Sequence, residues 1–574
     1  RLTDVTGVQT CALPISSMMS FAGAPDIVER LRALASRGAR VVYINPRRTE
    51  SARIAGEHFF IRPGTDRFFL LGFARELIAK NGVDPVAVNA HLKNYDLFKE
   101  IVQPWTPERV AAVTGIPAPV MEGLVASYLS SRASALYCST GINMSGDPGV
   151  CFWLLEAINA ISGNLDRRGG ALVGRGLVDF PRLARKTFAS APAFSRDGGF
   201  PQVMDSFPCA VMHDEILEPG PGQIKGLFVS GGNPAISFPD SARFGKALGS
   251  LDLLVSIDIF RNETGSLAHY LLPATTFMEH ADINYIFQSM LGVYPVPVLN
   301  YSDAVVAPDG EQREETRIFA GLARACGVSL FGSRMFQRLN NASMLVQRAG
   351  GRGFLGQENI FRLILRLSGK ATLRRMRKRP EGLLLEPHRP GSFLGARVLT
   401  PDGRVDCAPR ELVEAARGLD DAYDAELAAR DRIKLVNMRE PLSFNTYLHN
   451  APSLMKGRGG NRMHISPEDA ARAGLSHGDV AEVVSETGSI RIPVAVTDDM
   501  MPGAVAIPHG WGHERADGLA VARRNHGVNV NLLTPSGTRA VDPVSGMARL
   551  SGIPVRSEER RVGKECRSRS SPYH

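Results

Sequence analysis

The 574 residues carry 67 Lys and Arg against 58 Asp and Glu, a formal charge of +9, with 44% hydrophobic and 7% aromatic residues. That balance supports several packed domains and excludes a disordered or collagen-like chain. Seven cysteines with no CxxC pair exclude a disulfide framework and a CxxC metal motif, and no run of about 18 apolar residues offers a membrane span.

The two ends read differently from the rest. Val5–Ile15 (VTGVQTCALPI) and Arg556–Cys566 (RSEERRVGKEC) are translations of sequencing-library adapters. Residues 1–16 and 556–574 are therefore set apart as adapter-like and non-native. Five cysteines remain, Cys138, Cys151, Cys209, Cys326 and Cys407, and the formal charge falls to about +6. Such a mild excess suits an anionic partner better than nucleic acid. The remaining length suggests roughly three domains.

In chain order, Ile27, Leu31 and Leu34 fall at i, i+4 and i+7, Gly38 ends that helix, and VVYI at 41–44 is a short buried strand. Asn45, Pro46, Arg47, Arg48 and Thr49 follow its carboxyl end, where open α/β sheets bind ligands, and paired arginines suit phosphates or guanine edges. IRPGTD ends a second extended piece and leaves Gly64, Thr65 and Asp66 exposed. SALYCSTGINMSG repeats the pattern with a strand, then Thr140, Gly141 and Met144. IKGLFVSGGNP places Gly231, Gly232, Asn233 and Pro234 at a strand tip. In LDLLVSIDIFRNETG, Asp258 follows a strand, with Glu263, Thr264 and His280 beyond. Several strand tips thus carry Gly, Asn, Asp or Arg where a doubly wound sheet holds a nucleotide.

Residues 331–430 read as an irregular linker with helices. Gly351–Gly356 (GRGFLG) satisfies GxGxxG, but no good strand precedes it and no acidic residue follows about 20 positions later, so it is not a nicotinamide site. TLRRMRKRP is a basic run that reads as a solvated helix face.

From Asn437 to Val555 the pattern is a small β-barrel. Ser466, Pro467 and Asp469 start a short helix that Gly474 ends. Glu486, Thr487 and Gly488 form a hairpin loop between VAEVVS and SIRIPVAV, and Pro502 and Gly503 turn the chain into AVAIP. Folding alone does not require the polar runs Asn445, Tyr447, His449, Asn450 and His509, Trp511, His513. Pro508, Gly510 and Gly512 forbid the helix that would align His509 and His513 as an HxxxH zinc pair.

The order NPRRTE, TGxN, GGNP, DxFxxET and LPAT, followed by HISPEDAARAGLxxGD, PHGWGH, NVNLLTP and DPVSGMARLSG, resembles the molybdopterin oxidoreductase family. This is the family of bis-molybdopterin-guanine-dinucleotide enzymes that includes formate dehydrogenases, nitrate reductases and dimethyl sulfoxide reductases. The resemblance covers most of residues 17–555. It implies an α/β fold of doubly wound, Rossmann-like domains followed by a C-terminal double-psi β-barrel. Residues 17–172 would form an α/β domain gripping one pterin dinucleotide, truncated at its start. Residues 173–330 would form a second α/β domain whose first half lies upstream, 331–430 a linker or insertion, and 431–555 the dinucleotide-binding barrel.

The resemblance also implies molybdenum, or tungsten, held by two pterin dinucleotides, with a 4Fe-4S cluster in the missing N-terminal part. One dinucleotide would meet Asn45 to Thr49, Gly64 to Asp66, Thr140 and Met144, although Met144 also reads as a packing residue. The second would meet Asn233, Asp258 and His280, with Asp258 accepting from guanine N–H groups. From the barrel it implies Arg439, Tyr447, His449, Asn450, Asn531 and Arg549. The family's four-Cys motif and its metal-ligand segment are not found here, so no catalytic residue is assigned. The expectation is that this product alone exposes apolar surface and is inactive.

The implied activity is two-electron redox chemistry on a small substrate, in a formate dehydrogenase-like style, with an iron–sulfur or other electron-transfer subunit as partner. Two alternatives stay open: a cofactor-free electron-transfer scaffold related to the large iron–sulfur subunit of NADH dehydrogenases, and a non-redox hydratase or transhydroxylase. The first predicts eroded strand tips, whereas the tips here are intact.

Overall fold

The computed structural model describes residues 6–10 and 26–558 except 139, 178, 180, 183–192, 204–205, 284–296, 330–332, 350–355, 441–442 and 458. Most of the GRGFLG motif and the C-terminal run beyond Glu558 lie outside the described residues.

The first sheet holds four parallel strands: β1 (Thr6–Thr10), β2 (Val41–Ile44), β3 (Glu57–Phe59) and β4 (Ser134–Cys138), in the order β3-β2-β1-β4. Residues 6–10, set apart on sequence as adapter-like, thus fill the slot between β2 and β4. That slot presents backbone donors and acceptors on both sides, which a parallel strand satisfies. The helices Asp66–Ala79, Pro107–Thr114, Ala118–Ser130 and Pro148–Ile161 pack into one core with the sheet. Phe68, Phe69, Phe73, Leu124, Val125 and Leu154 are all at 0–1% exposure there. The apolar composition of Pro107–Thr114 and Ala118–Ser130 serves this core, and among the described residues no single helix is long and apolar enough to cross a membrane.

The second sheet is smaller: β5 (Gly226–Ser230), β6 (Leu253–Asp258) and β7 (Tyr270–Pro273), parallel in that order. It packs on the Ser241–Gly249 helix through Val229, Phe244, Leu248 and Leu254. Phe228 and Tyr270 on its edge strands stay 43% and 62% exposed.

Between the sheets and the barrel the chain forms the helices Glu315–Ala325, Arg334–Arg348, Gln357–Ser368, Leu373–Arg377 and Leu419–Ala428. The last packs against the first core through Leu419, so the linker is partly built into that domain.

The barrel is closed by six strands: β8 (Ile433–Met438), β9 (Met463–Ile465), β10 (Val480–Val484), β11 (Ser489–Val496), β12 (Ala504–Pro508) and β13 (Ile553–Glu558). They run in the order β8-β12-β9-β11-β10-β13. Closure leaves no free sheet edge. The expected local chemistry is present: Ser466 caps the Pro467–Arg472 helix by accepting from the Asp469 N–H at 3.1 Å, Gly474 takes φ +67°, and β10 and β11 form the hairpin around residues 485–488. Arg556–Glu558, also set apart on sequence, pairs with Glu482–Val484 as the end of β13.

Candidate functional site

A cavity opens at the carboxyl ends of β2 and β4, where the barrel closes over the first sheet. Asn45, Pro46, Arg47, Thr49, Gly64, Asp66, Thr140, Met144, Arg439 and His509 are among its lining residues. The β2 turn is pinned to the barrel by backbone bonds: Arg48 N–H donates to the Asp499 carbonyl at 2.7 Å, and Met501 N–H donates to the Pro46 carbonyl at 3.1 Å. On the opposite wall the Met144 carbonyl accepts from Leu550 at 2.9 Å and Ser551 at 2.8 Å. Backbone of the barrel therefore sets the width of the cleft. Below it, the Gly64 and Gly552 backbones cross, so that a Cβ added to Gly552 would lie 3.4 Å from the Gly64 Cα.

The charged groups of the lining are Arg47, Arg439 and Asp66. Arg47 donates two hydrogen bonds to Glu50, at 3.1 and 2.9 Å. Burial opposes ionisation of Glu50, but those bonds and the Arg47 charge hold its carboxyl below the usual range. Arg67 pairs with Asp147, and burial pushes its guanidinium down from its ordinary value. Asp66 begins the Asp66–Ala79 helix, and burial of its carboxyl raises it to about 6. His509 is pushed down to about 4 by burial and by Arg439, so the imidazole is neutral near pH 7.

In the lining, the buried Asn437 Oδ1 and His509 Nε2 have no partner among the described residues; Arg67 Nε and Arg549 Nε, outside the lining, have none there either. Asn437, Arg439 and His509 lie on the barrel side of the cleft, with Asn437 N–H donating to the Ser551 hydroxyl at 3.0 Å. Stranded buried donors and acceptors cost about 1–3 kcal/mol each, and a polar ligand that offers both N–H donors and oxygen acceptors would satisfy them.

Other residues singled out on sequence gather around β5 and β6. Asn233 donates to Glu263 at 2.6 Å and accepts from the Thr264 N–H and hydroxyl at 3.2 and 3.0 Å. The Asp258 carboxylate accepts from Phe260 N–H at 3.0 Å and the Asn262 amide at 3.1 Å, and burial raises its pKa. From the barrel side, His513 Nδ1 lies 3.0 Å from Glu263, its Nε2 lies 2.9 Å from His449 Nδ1, and His449 stacks on Trp511 at 4.2 Å. Tyr447 packs edge-on against Phe260 at 5.3 Å. The two histidines of PHGWGH thus part company, one to the cleft and one to this buried chain. Gly510 and Gly512, at φ +85° and +111°, make that divergence.

The remaining residues have local partners. Gly64, Thr65 and Asp66, expected to be exposed, are not: Gly64 and Asp66 are half-buried and Thr65 is fully buried, its hydroxyl donating to the Arg62 carbonyl at 2.7 Å; the reason is the core helix that starts at Asp66, with Thr65 at its N-cap position. Arg48 is exposed and contributes only backbone to the cleft. His280 Nδ1 lies 2.9 Å from the Thr275 hydroxyl. Asn450 accepts from Val521 and Ala522 N–H at 3.0 and 3.3 Å, capping a short helix, and Asn531 donates to the Ile236 carbonyl at 2.9 Å, joining barrel and second sheet. Arg549 Nη2 contacts the Gly552 carbonyl at 3.4 Å. Sequence reasoning missed Asn437 and Ser551 as cleft residues. A polar residue next to the last position of β8 was the signal for the first.

Residues 22–325 match the molybdopterin oxidoreductase family and residues 433–554 match the molybdopterin dinucleotide-binding domain. The thiosulfate reductase molybdopterin-containing subunit of Salmonella typhimurium is 24% identical over 541 residues, covering 89% of this chain and 69% of that protein. A formate dehydrogenase alpha subunit of Methanocaldococcus jannaschii is 25% identical, covering 87% and 71%. The dimethyl sulfoxide/trimethylamine N-oxide reductase of Cereibacter sphaeroides is 26% identical, covering 88% and 65%. Acetylene hydratase from Pelobacter acetylenicus shares the fold, with a TM-score of 0.75 at 19% identity over 98% of this chain and 78% of that one.

Proposed function

Because this chain belongs to the molybdopterin oxidoreductase family, we propose that it grips a bis-molybdopterin guanine dinucleotide as part of a catalytic subunit that oxidises or reduces a small substrate. The observation that carries this reading is the cleft between β2, β4 and the barrel, with Arg47 and Arg439 in its walls and with Asn437 and His509 atoms that have no partner among the described residues. Those atoms fit a polar, phosphate-bearing ligand, and they would otherwise stand as uncompensated cost. In this reading Arg47, Thr140, Asn437, Arg439 and His509 hold the pterin end of one dinucleotide. Arg47 and Arg439 supply charge, while neutral His509 offers a ring nitrogen without adding a cation. Asn233, Asp258 and Tyr447 belong to the second dinucleotide. The bound molybdenum, or tungsten, supplies two-electron chemistry, and the protein supplies grip, orientation and electrostatics.

Formate dehydrogenase-like chemistry is the favoured substrate class. The NPRRTE and DIFxxET elements and the Methanocaldococcus jannaschii relative support it. A 4Fe-4S cluster and an electron-transfer subunit complete the proposal, as the route by which single electrons leave. The test is purification from a host that makes the cofactor, with molybdenum and oxidised-pterin content measured for the wild type and Arg47→Ala. Dye-linked turnover of formate, thiosulfate and trimethylamine N-oxide then separates the substrates. Wild-type protein that carries neither molybdenum nor pterin would overturn the reading.

A further inference from the structure

Residues 331–380 hold twelve Lys and Arg against a single acidic residue, Glu358, so this stretch alone exceeds the +9 charge of the whole chain. Neither family match, 22–325 or 433–554, includes it. The Arg334–Arg348 helix is inverted relative to an ordinary surface helix: Asn340 and Ser343 face inward at 0% and 1% exposure, and Asn340 donates to the Ala320 carbonyl at 2.8 Å. Met335, Leu339 and Val346, at i, i+4 and i+11, face outward at 62%, 40% and 41%. These positions lie on one stripe of a 3.6-residue helix, with Arg334 and Arg338 beside it. The Gln357–Ser368 helix buries Phe361 and Leu365 and turns Leu363 and Leu367 outward, the latter at 76%, next to Arg362 and Arg366. In the Leu373–Arg377 helix, Leu373 and Met376 are buried while Arg374 and Arg375 are exposed.

Exposed aliphatic side chains cost free energy in water, and like charges held together repel. Here both occur on the same helices. Arg334, Arg338, Arg366, Arg374, Arg375 and Lys378 have no carboxylate partner among the described residues, whereas Arg362 and Arg377 do. An apolar stripe bordered by unpaired arginines is the pattern of a helix lying in a lipid headgroup layer. Protein interfaces centre more often on buried aromatic anchors such as Trp and Tyr. The outward positions here are Met, Leu and Val, and the charge is of one sign.

We propose that the helices Arg334–Arg348, Gln357–Ser368 and Leu373–Arg377 form a peripheral docking surface for an anionic phospholipid bilayer. Leu339, Leu363 and Leu367 reach the acyl boundary, and the free arginines and Lys378 pair with lipid phosphates. Flotation with vesicles tests this, because aggregated protein sinks while vesicle-bound protein rises. The full chain is mixed at low salt with phosphatidylcholine vesicles or with equal parts phosphatidylcholine and phosphatidylglycerol. The expected result is flotation with the anionic vesicles only, reversed by high salt. Arg374→Glu with Arg375→Glu, and separately Leu363→Glu with Leu367→Glu, should each lower the floated fraction severalfold. These side chains are exposed, so circular dichroism of both variants should match the wild type. Protein that stays at the bottom with anionic vesicles, floats equally with neutral ones, or floats undiminished in the arginine variant would overturn the proposal. Failure with both lipids would point instead to an acidic protein as the occupant.

Discussion

His513 Nδ1 lies 3.0 Å from a carboxylate oxygen of Glu263, a bond that joins the chain just past β12 to the first turn of the helix that follows β6. With Glu263 as carboxylate acceptor, His513 Nδ1 donates to it; His513 Nε2 lies 2.9 Å from His449 Nδ1, and the second carboxylate oxygen of Glu263 accepts from Asn233. The barrel and the second sheet are therefore registered by a buried polar chain, not by apolar contact alone.

Glu263→Ala removes the acceptor of two buried donors, Asn233 and His513. A loss of about 1–3 kcal/mol for each stranded group is expected in equilibrium unfolding. A change within about 0.5 kcal/mol would show that this chain is not a structural tie.

The cleft predicts a pH dependence through His509. Its folded pKa of about 4 lies below the unfolded value of 6.5, so the unfolded chain binds more protons between those pH values. Stability should then fall as pH drops from 6.5 towards 4, by on the order of 3 kcal/mol for this group. Asp66 acts oppositely, because its folded pKa of about 6 exceeds the ordinary 3.8 and favours the folded state at acid pH. Chemical unfolding across pH 4–7 should show a shallower acid loss in His509→Gln and a steeper one in Asp66→Asn.

Lys434 is buried at the foot of the barrel, with both Glu426 oxygens at 2.7 and 2.6 Å and the Pro63 carbonyl at 2.9 Å. Burial pushes its ammonium down to about 8, against the pull of Glu426. Lys434→Met would leave the buried Glu426 carboxylate with only the long 3.9 Å ion pair to Arg62 and cost about 3–5 kcal/mol, while adding Glu426→Leu should restore part of it. Thermal unfolding of the single and double variants distinguishes this from simple loss of packing.

Gly510 allows the barrel to be crossed closely by the segment carrying Arg439 and His449. A Cβ there would fall 2.3 Å from the Asn445 carbonyl oxygen. Gly510→Ala should cost about 1–3 kcal/mol by overpacking and should lower pterin content, because the crossing segment must shift. Unchanged pterin content would place that segment outside the grip.

The strand-tip pattern was legible because glycine, asparagine and arginine after short apolar runs have few other uses. Asn45, Arg47, Gly64 and Thr140 meet at one cleft, and the barrel's Arg439 joins them there. The barrel was legible through its cap, hairpin and turn residues. What stayed hidden depends on contacts distant in sequence. Asn450 and Asn531 serve as caps and ties to segments that no local pattern connects to them. Thr65 lies buried because a core helix starts beside it, and His513 leaves the cleft because two glycines redirect the chain. The inverted Arg334–Arg348 helix was equally hidden, since periodicity marks an apolar stripe but not the side on which the protein lies.

Asp258 offers the sharpest test within the second group. Its carboxylate already accepts from Phe260 and Asn262, so Asp258→Ala should loosen that loop as well as remove an acceptor for guanine. Pterin content should fall more in Asp258→Ala than in Asn262→Ala, which removes one loop contact and leaves the carboxylate. Equal content in both variants would assign Asp258 to the loop alone.

The most direct measurement is the molybdenum and pterin content of the purified chain beside Arg47→Ala and His509→Gln. Wild-type protein carrying both, with marked loss in each variant, is the predicted result. Wild-type protein without either, or variants that retain the full complement, would contradict the claim that this cleft grips the cofactor.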